Sequence, residues 1–182
     1  WVENAHEFRL TPWHNDPLTD ASGEAFYIRD EETGVFWSPT ALPACVNADK
    51  NDYLCRHGFG YSVFEHHEVG IASEMTTYVA MDAAIKFVVI KLNNTSNCTR
   101  QISATAYWEL VLGEWRHQNL MHIMTEVDAA TGAIFARNPY GHATSKRLQL
   151  LGIEQNLSGE MQTYQTHPRC AVKNYQVKLA QD

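Results

Sequence analysis

Three stretches of the chain concentrate side chains able to do chemistry. The first is Glu7-Phe8-Arg9-Leu10-Thr11-Pro12-Trp13-His14-Asn15-Asp16-Pro17. Sugar sites use this mixture: an aromatic face stacks on ring C–H groups, while Arg9, Asn15 and Asp16 supply hydrogen bonds to hydroxyls. The plainer reading is a surface loop that caps a sheet. The second is Arg56-His57-Gly58-Phe59-Gly60-Tyr61. Its glycines permit positive φ and close backbone approach. It lacks the spacing of a nucleotide fingerprint and any helix after it, so it reads as a tight turn entering a strand. The third is Trp115-Arg116-His117-Gln118-Asn119, followed by His122 and by Arg137-Asn138-Pro139-Tyr140. Glu109, Glu114, Glu126 and Asp128 lie nearby in sequence. Two carboxylates at a defined separation could serve a glycosidase. Solvated strand ends and turns are the favoured reading of these acids.

No G-x-S-x-G, H-E-x-x-H or Walker loop occurs, so a self-contained enzyme is not visible and no catalytic residue is assigned. Nor is a cofactor implied. Cys45, Cys55, Cys98 and Cys170 show no C-x-x-C spacing, and no metal site is expected from them. They are expected to be free and mostly buried thiols. Of the nine histidines, His57, His66 and His67 cluster, but adjacent His66 and His67 point to opposite faces of a strand. Asn93, Asn94, Asn97 and Asn156 open N-x-[ST] sequons, which matter only in a secretory eukaryotic setting.

The elements that must position these residues are mostly strands. Glu24–Arg29 alternates, Glu32-Thr33-Gly34 is a turn, and Val35-Phe36-Trp37 starts the return, which makes a hairpin. Leu42–Asp52 reads as a loop. Strands follow over Tyr61–His67, Ile71–Val79, Ala84–Leu92 and Arg100–Trp108. Met121–Val127 and Ala133–Ala136 flank the turn Asp128-Ala129-Ala130-Thr131-Gly132, and Thr144–Gly152 is a further strand. Leu110–Leu120 is open between a helix and an irregular loop. Tyr175–Ala180 is a final, weaker strand. Strand after strand at roughly ten-residue spacing, with no sustained helical period, argues for a sheet sandwich.

At 182 residues and 45% hydrophobic, the chain has enough apolar mass for one domain with a proper core. A formal net charge of −7 argues against a nucleic-acid partner, since phosphate contacts need a basic face. No apolar run approaches the roughly 20 residues needed to cross a bilayer. The opening Trp1-Val2-Glu3-Asn4 suggests a piece of something longer.

Within these same segments the chain resembles a known family. The runs WVENAHEFRLTPWHNDPLTDASGEAFYIRDEETGVFWSPTALP, YLCRHGFGYSVFEH, SATAYWELVLGE, TEVDAATGAIFARNPY and HATSKR are similar, in order, to the N-terminal domain of glycoside hydrolase family 94. The similarity covers about the first 150 residues. It is closest to the phosphorylase-like part of cyclic β-1,2-glucan synthases and to β-1,2-oligoglucan phosphorylases. Cellobiose and chitobiose phosphorylases share the core less closely.

The resemblance implies an all-β fold, a β-supersandwich of mostly antiparallel strands of the galactose mutarotase-like type. It sets a domain over 1–154 and a divergent tail over 155–182, where MQTYQTHPRCAVKNYQVKLAQD departs from the family pattern and could leave the sandwich incomplete. In the family this domain precedes a helical linker and an (α/α)6 barrel, which carries the general-acid Asp and the phosphate site for inverting phosphorolysis. The resemblance therefore implies a carbohydrate-binding or scaffold role beside that barrel, in the same or a partner chain. The implied partners are a β-glucan or gluco-oligosaccharide and a second copy of the chain. The implied location is the cytoplasm, or the cytoplasmic part of a membrane-associated glucan synthase. The loop Arg9–Asp16, with Trp13 and Asn15, matches a family segment before the first strong strand. Arg116 overlaps a segment that offers an Arg toward the acceptor sugar, and Arg137-Asn138 matches a motif of the glucan-synthase subgroup. The alternatives are an interaction module that pairs with a separate catalytic chain, and an independent hydrolase using Glu109, Glu126 or Asp128.

Overall fold

The computed structural model describes residues 9–12, 18, 23–45, 52–83 and 85–140, and the backbone of three further strands near the C-terminus. The chain is nearly all β. In order come β1 (Glu24–Asp30), β2 (Phe36–Trp37), β3 (Tyr53–Gly58), β4 (Tyr61–Glu68), β5 (Ile71–Val79), β6 (Lys86–Asn94) and β7 (Arg100–Glu109). A single helical turn, α1 (Arg116–Asn119), precedes β8 (Met124–Val127) and β9 (Ile134–Arg137). The three C-terminal strands are β10 (Leu148–Leu150), β11 (Met161–Gln162) and β12 (Cys170–Leu179). Three sheets result, ordered β11-β12-β7-β1-β2, β10-β9-β8 and β3-β4-β5-β6. Among the described residues no helix is long and apolar enough to cross a membrane.

The chain divides into two compact units, with divisions inside β1, β7 and β12. One unit holds the meander β3-β4-β5-β6, an antiparallel run with Tyr61 opposite Tyr78 and Met75 opposite Ile90. Its core joins both sides of a sandwich: Ile28, Trp37 and Ile102 from β1, β2 and β7 pack with Ile71 of β5. Val35 and Leu92 close the cluster. Alternation explains this. Ile71, Ser73 and Met75 face inward and are buried, while the residues between them are less so. Burying four large side chains of this kind contributes about 1.5–3 kcal/mol each.

The first hairpin is tied by Asp30. Its backbone exchanges bonds with Val35 and Gly34, and its Oδ1 accepts from the N–H of Glu32 at 2.9 Å. Its Oδ2 accepts from Arg100 Nη1 at 2.6 Å, with the carboxylate fully buried. Gly34 sits at φ +74, a conformation that the turn requires and that glycine adopts freely.

The other unit builds a second core from Leu110, Leu112, Ile123, Ile134 and Ala136, with Leu10 and Trp108 packed against it. Its hairpin β8–β9 pairs Val127 with Ile134 across the Asp128–Gly132 turn. Asp128 exchanges backbone bonds with Ala133 and Gly132, and Gly132 lies at φ +64.

Several expectations change. β3 falls partly in a stretch read as a turn. Its residues are mostly exposed and do not alternate in hydrophobicity, since neither face of this strand is buried to enforce that pattern. Leu110–Leu120 contains both alternatives, irregular backbone followed by the four-residue α1. The thiols of Cys45, Cys55 and Cys98 are free, as expected, but exposed rather than buried. They lie in a loop, on the edge strand and in a turn, where no second layer covers them. The Cys170 side chain lies outside the described residues, as does the domain boundary expected at residue 154. The C-terminal strand is longer than the sequence suggests and neighbours β7.

His66 and His67 do point to opposite faces: His66 is buried and His67 exposed. His66 stacks on Tyr53 at 3.7 Å and donates from Nδ1 to the Asp52 carbonyl. Burial first, then the Cys45 thiol and the Glu68 carboxylate, push the Tyr53 phenol up to about 12.

Candidate functional site, the loop between β7 and β8

The residues singled out in the third stretch lie within one unit. The loop leaving β7 turns sharply at Leu112, which adopts φ +44, an uncommon conformation for a residue with a Cβ. Gly113 follows, and a Cβ there would lie 2.5 Å from Asn119 Nδ2, so only glycine fits without a shift. Two polar residues from elsewhere hold this shape. Arg9 pairs with Gly113 through both backbone bonds, at 3.2 and 3.3 Å. Its guanidinium donates to the Glu114 carbonyl at 3.2 Å and lies 5.9 Å from the Trp115 ring centre. Asn138 is fully buried. It donates to the Leu112 carbonyl and to Asn119 Oδ1, and accepts from the Tyr140 N–H. Asn119 in turn donates to the Trp115 carbonyl.

Arg9 and Asn138 are therefore internal supports. What faces solvent is a different set, drawn from the loop and from the segment after β9. Trp115 is 45% exposed and Tyr140 75% exposed. The Trp115 ring lies 6.1 Å from His117, and His122 lies 4.5 Å from Tyr140. Arg116 is half-exposed and ion-paired with Glu109. Aromatic faces beside a charged hydrogen-bonding pair are the chemistry that sugar rings require. Arg137 stands apart on β9, beside a hollow of about 40 Å³ that it lines with Met124, Thr125, Glu126 and Phe135. That volume is too small for a pyranose, given that ligand sites run to several hundred Å³. Trp13, Asn15 and Asp16 lie outside the described residues.

The acids considered for hydrolysis have structural partners. Glu109 holds Arg116, and the Asp128 carboxylate accepts from the hydroxyl and N–H of Thr131. That hydroxyl, helped by the backbone N–H groups of Thr131 and Ala130, keeps Asp128 below the usual carboxylate range. A carboxyl held ionised in a turn is a poor general acid. Sequence reading missed the support residues' role: nothing in a lone Leu112 announces a positive φ, and Arg9 reads as a ligand-facing side chain until its partners are seen.

Comparison with known proteins resolves the family. A family model described as glycosyl hydrolase 94, supersandwich domain, matches residues 1–169. The chain belongs to glycosyl hydrolase family 94. Among its relatives, cyclic beta-(1,2)-glucan synthase NdvB of Rhizobium meliloti (strain 1021) is 28% identical over 159 residues. That alignment covers 87% of this chain and 6% of the synthase. N,N'-diacetylchitobiose phosphorylase of Vibrio proteolyticus is 34% identical over 131 residues, 70% of this chain and 16% of the enzyme. Solabiose phosphorylase of Paenibacillus borealis is 36% identical over 87 residues, 48% of this chain and 11% of the enzyme. The chain thus spans a small part of the length of these family 94 relatives. The sheet sandwich expected from the strand pattern, and the supersandwich that the resemblance implies, agree with the antiparallel sheets observed and with the matched family.

Proposed function

We propose that this chain is the carbohydrate-binding or scaffold domain of a family 94 glycosyltransferase or phosphorylase acting on β-glucans, with catalysis carried by a helical barrel in the same or a partner chain. The observation that carries this reading is the match of 169 residues to the supersandwich model. The loop chemistry supports the binding half of the reading: an exposed Trp115, Arg116 and Tyr140 on a shape locked from within by Arg9 and Asn138. The relatives named for β-1,2-glucan and for two disaccharides make a gluco-oligosaccharide the natural first ligand to try.

Titration with β-1,2-gluco-oligosaccharides, followed by chemical shifts, tests the binding claim. The expected result is saturable perturbation at the Trp115 indole, at Arg116 and at Tyr140, with Trp13 and Asn15 as further reporters. No perturbation at millimolar sugar would leave a scaffold role and discard sugar binding by this loop.

A further inference from the structure

We propose that Cys55 is a reactive thiol, activated by His57 and open to reversible exchange with low-molecular-weight disulfides. Cys55 and His57 are two residues apart on β3, so their side chains share a face. Cys55 Sγ lies 3.2 Å from His57 Nε2. The other ring nitrogen, Nδ1, lies 2.8 Å from Ser62 Oγ, and Ser62 stands directly opposite His57 in the β3–β4 register. The Phe64 ring, from the residue opposite Cys55, meets the imidazole edge-on at 6.3 Å and 88°. In the tautomer that donates Nδ1–H to the serine hydroxyl, Nε2 presents its lone pair to the thiol. Nucleophile, base and a third group that orients the base stand in line, which is the arrangement that activates a cysteine.

Access favours the same residue. Cys55 is exposed, and β3 is the edge strand of its sheet. His57 and Ser62 also line an open groove of about 330 Å³ with Gly58, Gly60, Tyr61 and Tyr78. Exposure alone does not select Cys55, because Cys45 and Cys98 are exposed as well. What differs is the partner. The group beside Cys98 Sγ is the Ser96 hydroxyl at 3.7 Å, and Cys45 neighbours the Tyr53 phenol. Neither neighbour is a base at neutral pH.

The step balances without any further oxidant. The imidazole takes the Cys55 proton, and the thiolate sulfur attacks one sulfur of the disulfide. A protein–small-molecule S–S bond forms as the original S–S bond breaks, and the departing thiolate recovers the proton.

The test treats the chain with limiting oxidised glutathione at neutral pH and follows each cysteine by peptide mass. Cys55 is expected to form the mixed disulfide about tenfold faster than Cys98, and dithiothreitol is expected to reverse it. His57→Asn should bring Cys55 down to the Cys98 rate, and Ser62→Ala should slow it in part. Equal rates at Cys55 and Cys98 in the unaltered chain overturn the proposal. So does a His57→Asn chain that unfolds at the usual midpoint yet reacts at Cys55 undiminished. The comparison among cysteines within one chain needs no variant to fold.

Discussion

Two hairpins of this molecule use the same five-residue turn, Asp-x-x-Thr-Gly, and put it to different use. At Asp30–Gly34 and again at Asp128–Gly132, the Asp and Gly backbones bond at 2.8 Å, and the Asp N–H reaches the residue after the Gly. The Asp carboxylate gathers the following N–H groups, and the Thr hydroxyl accepts from the residue after the Gly, at 3.4 and 3.3 Å. Locally the turns match. They part at the carboxylate: Asp30 is buried against Arg100, whereas Asp128 is half-exposed and bonds within its own turn. A turn motif specifies the reversal of the chain, and its surroundings decide whether the same Asp also becomes a structural anchor.

Four outcomes would sharpen or break that contrast. Asp30→Ala removes the partner of a nearly buried guanidinium and should cost about 3–5 kcal/mol, read from the denaturation midpoint. Asp128→Ala should leave that midpoint nearly unmoved; an equal loss at both sites would erase the distinction. Gly34→Ala and Gly132→Ala should cost about 1–2 kcal/mol each, because both backbones sit at positive φ. Here the hairpins should agree, and a large inequality would mean that the turns are not equivalent.

Thr33→Val and Thr131→Val keep the β-branch and remove the hydroxyl. Each should cost about 1 kcal/mol or less, with hydrogen exchange quickening only in the altered hairpin. The smallest effect is electrostatic. The Asp128 carboxyl, followed by NMR, should titrate below the usual Asp range, and Thr131→Val should move it upward. Since the folded state favours the ionised form, this contribution to the turn is present above the unfolded-state value. It is lost as pH falls through the folded one. A titration of Asp128 that Thr131→Val leaves in place would remove the hydroxyl as its cause.

Both turns were legible in the sequence, because Thr-Gly after an Asp carries its own hydrogen-bonding pattern. So were β1, β4, β5 and β7, of which β5 shows the inward alternation that a buried face imposes. β3 was less so, since most of its side chains are exposed at a sheet edge and it has no buried stripe to betray it. At the candidate loop, composition drew attention to Arg9 in one stretch and to Trp115, Arg116, Asn138 and Tyr140 in another. It could not sort supports from presented groups. Arg9 meets Glu114 across 105 positions and Asn138 meets Leu112 across 26, and neither pairing has a local signature.

By itself, then, the sequence determined the all-β class, the positions of the reversals and membership of the family, each encoded in short-range pattern or in collinear motifs. Only the tertiary structure decided which polar side chains work inside and which face solvent. The physical reason is that burial belongs to no residue alone. Asp30 is an anchor because Arg100, seventy positions away, arrives beside it. Asp128, in the same local frame, is held among the described residues by its own turn.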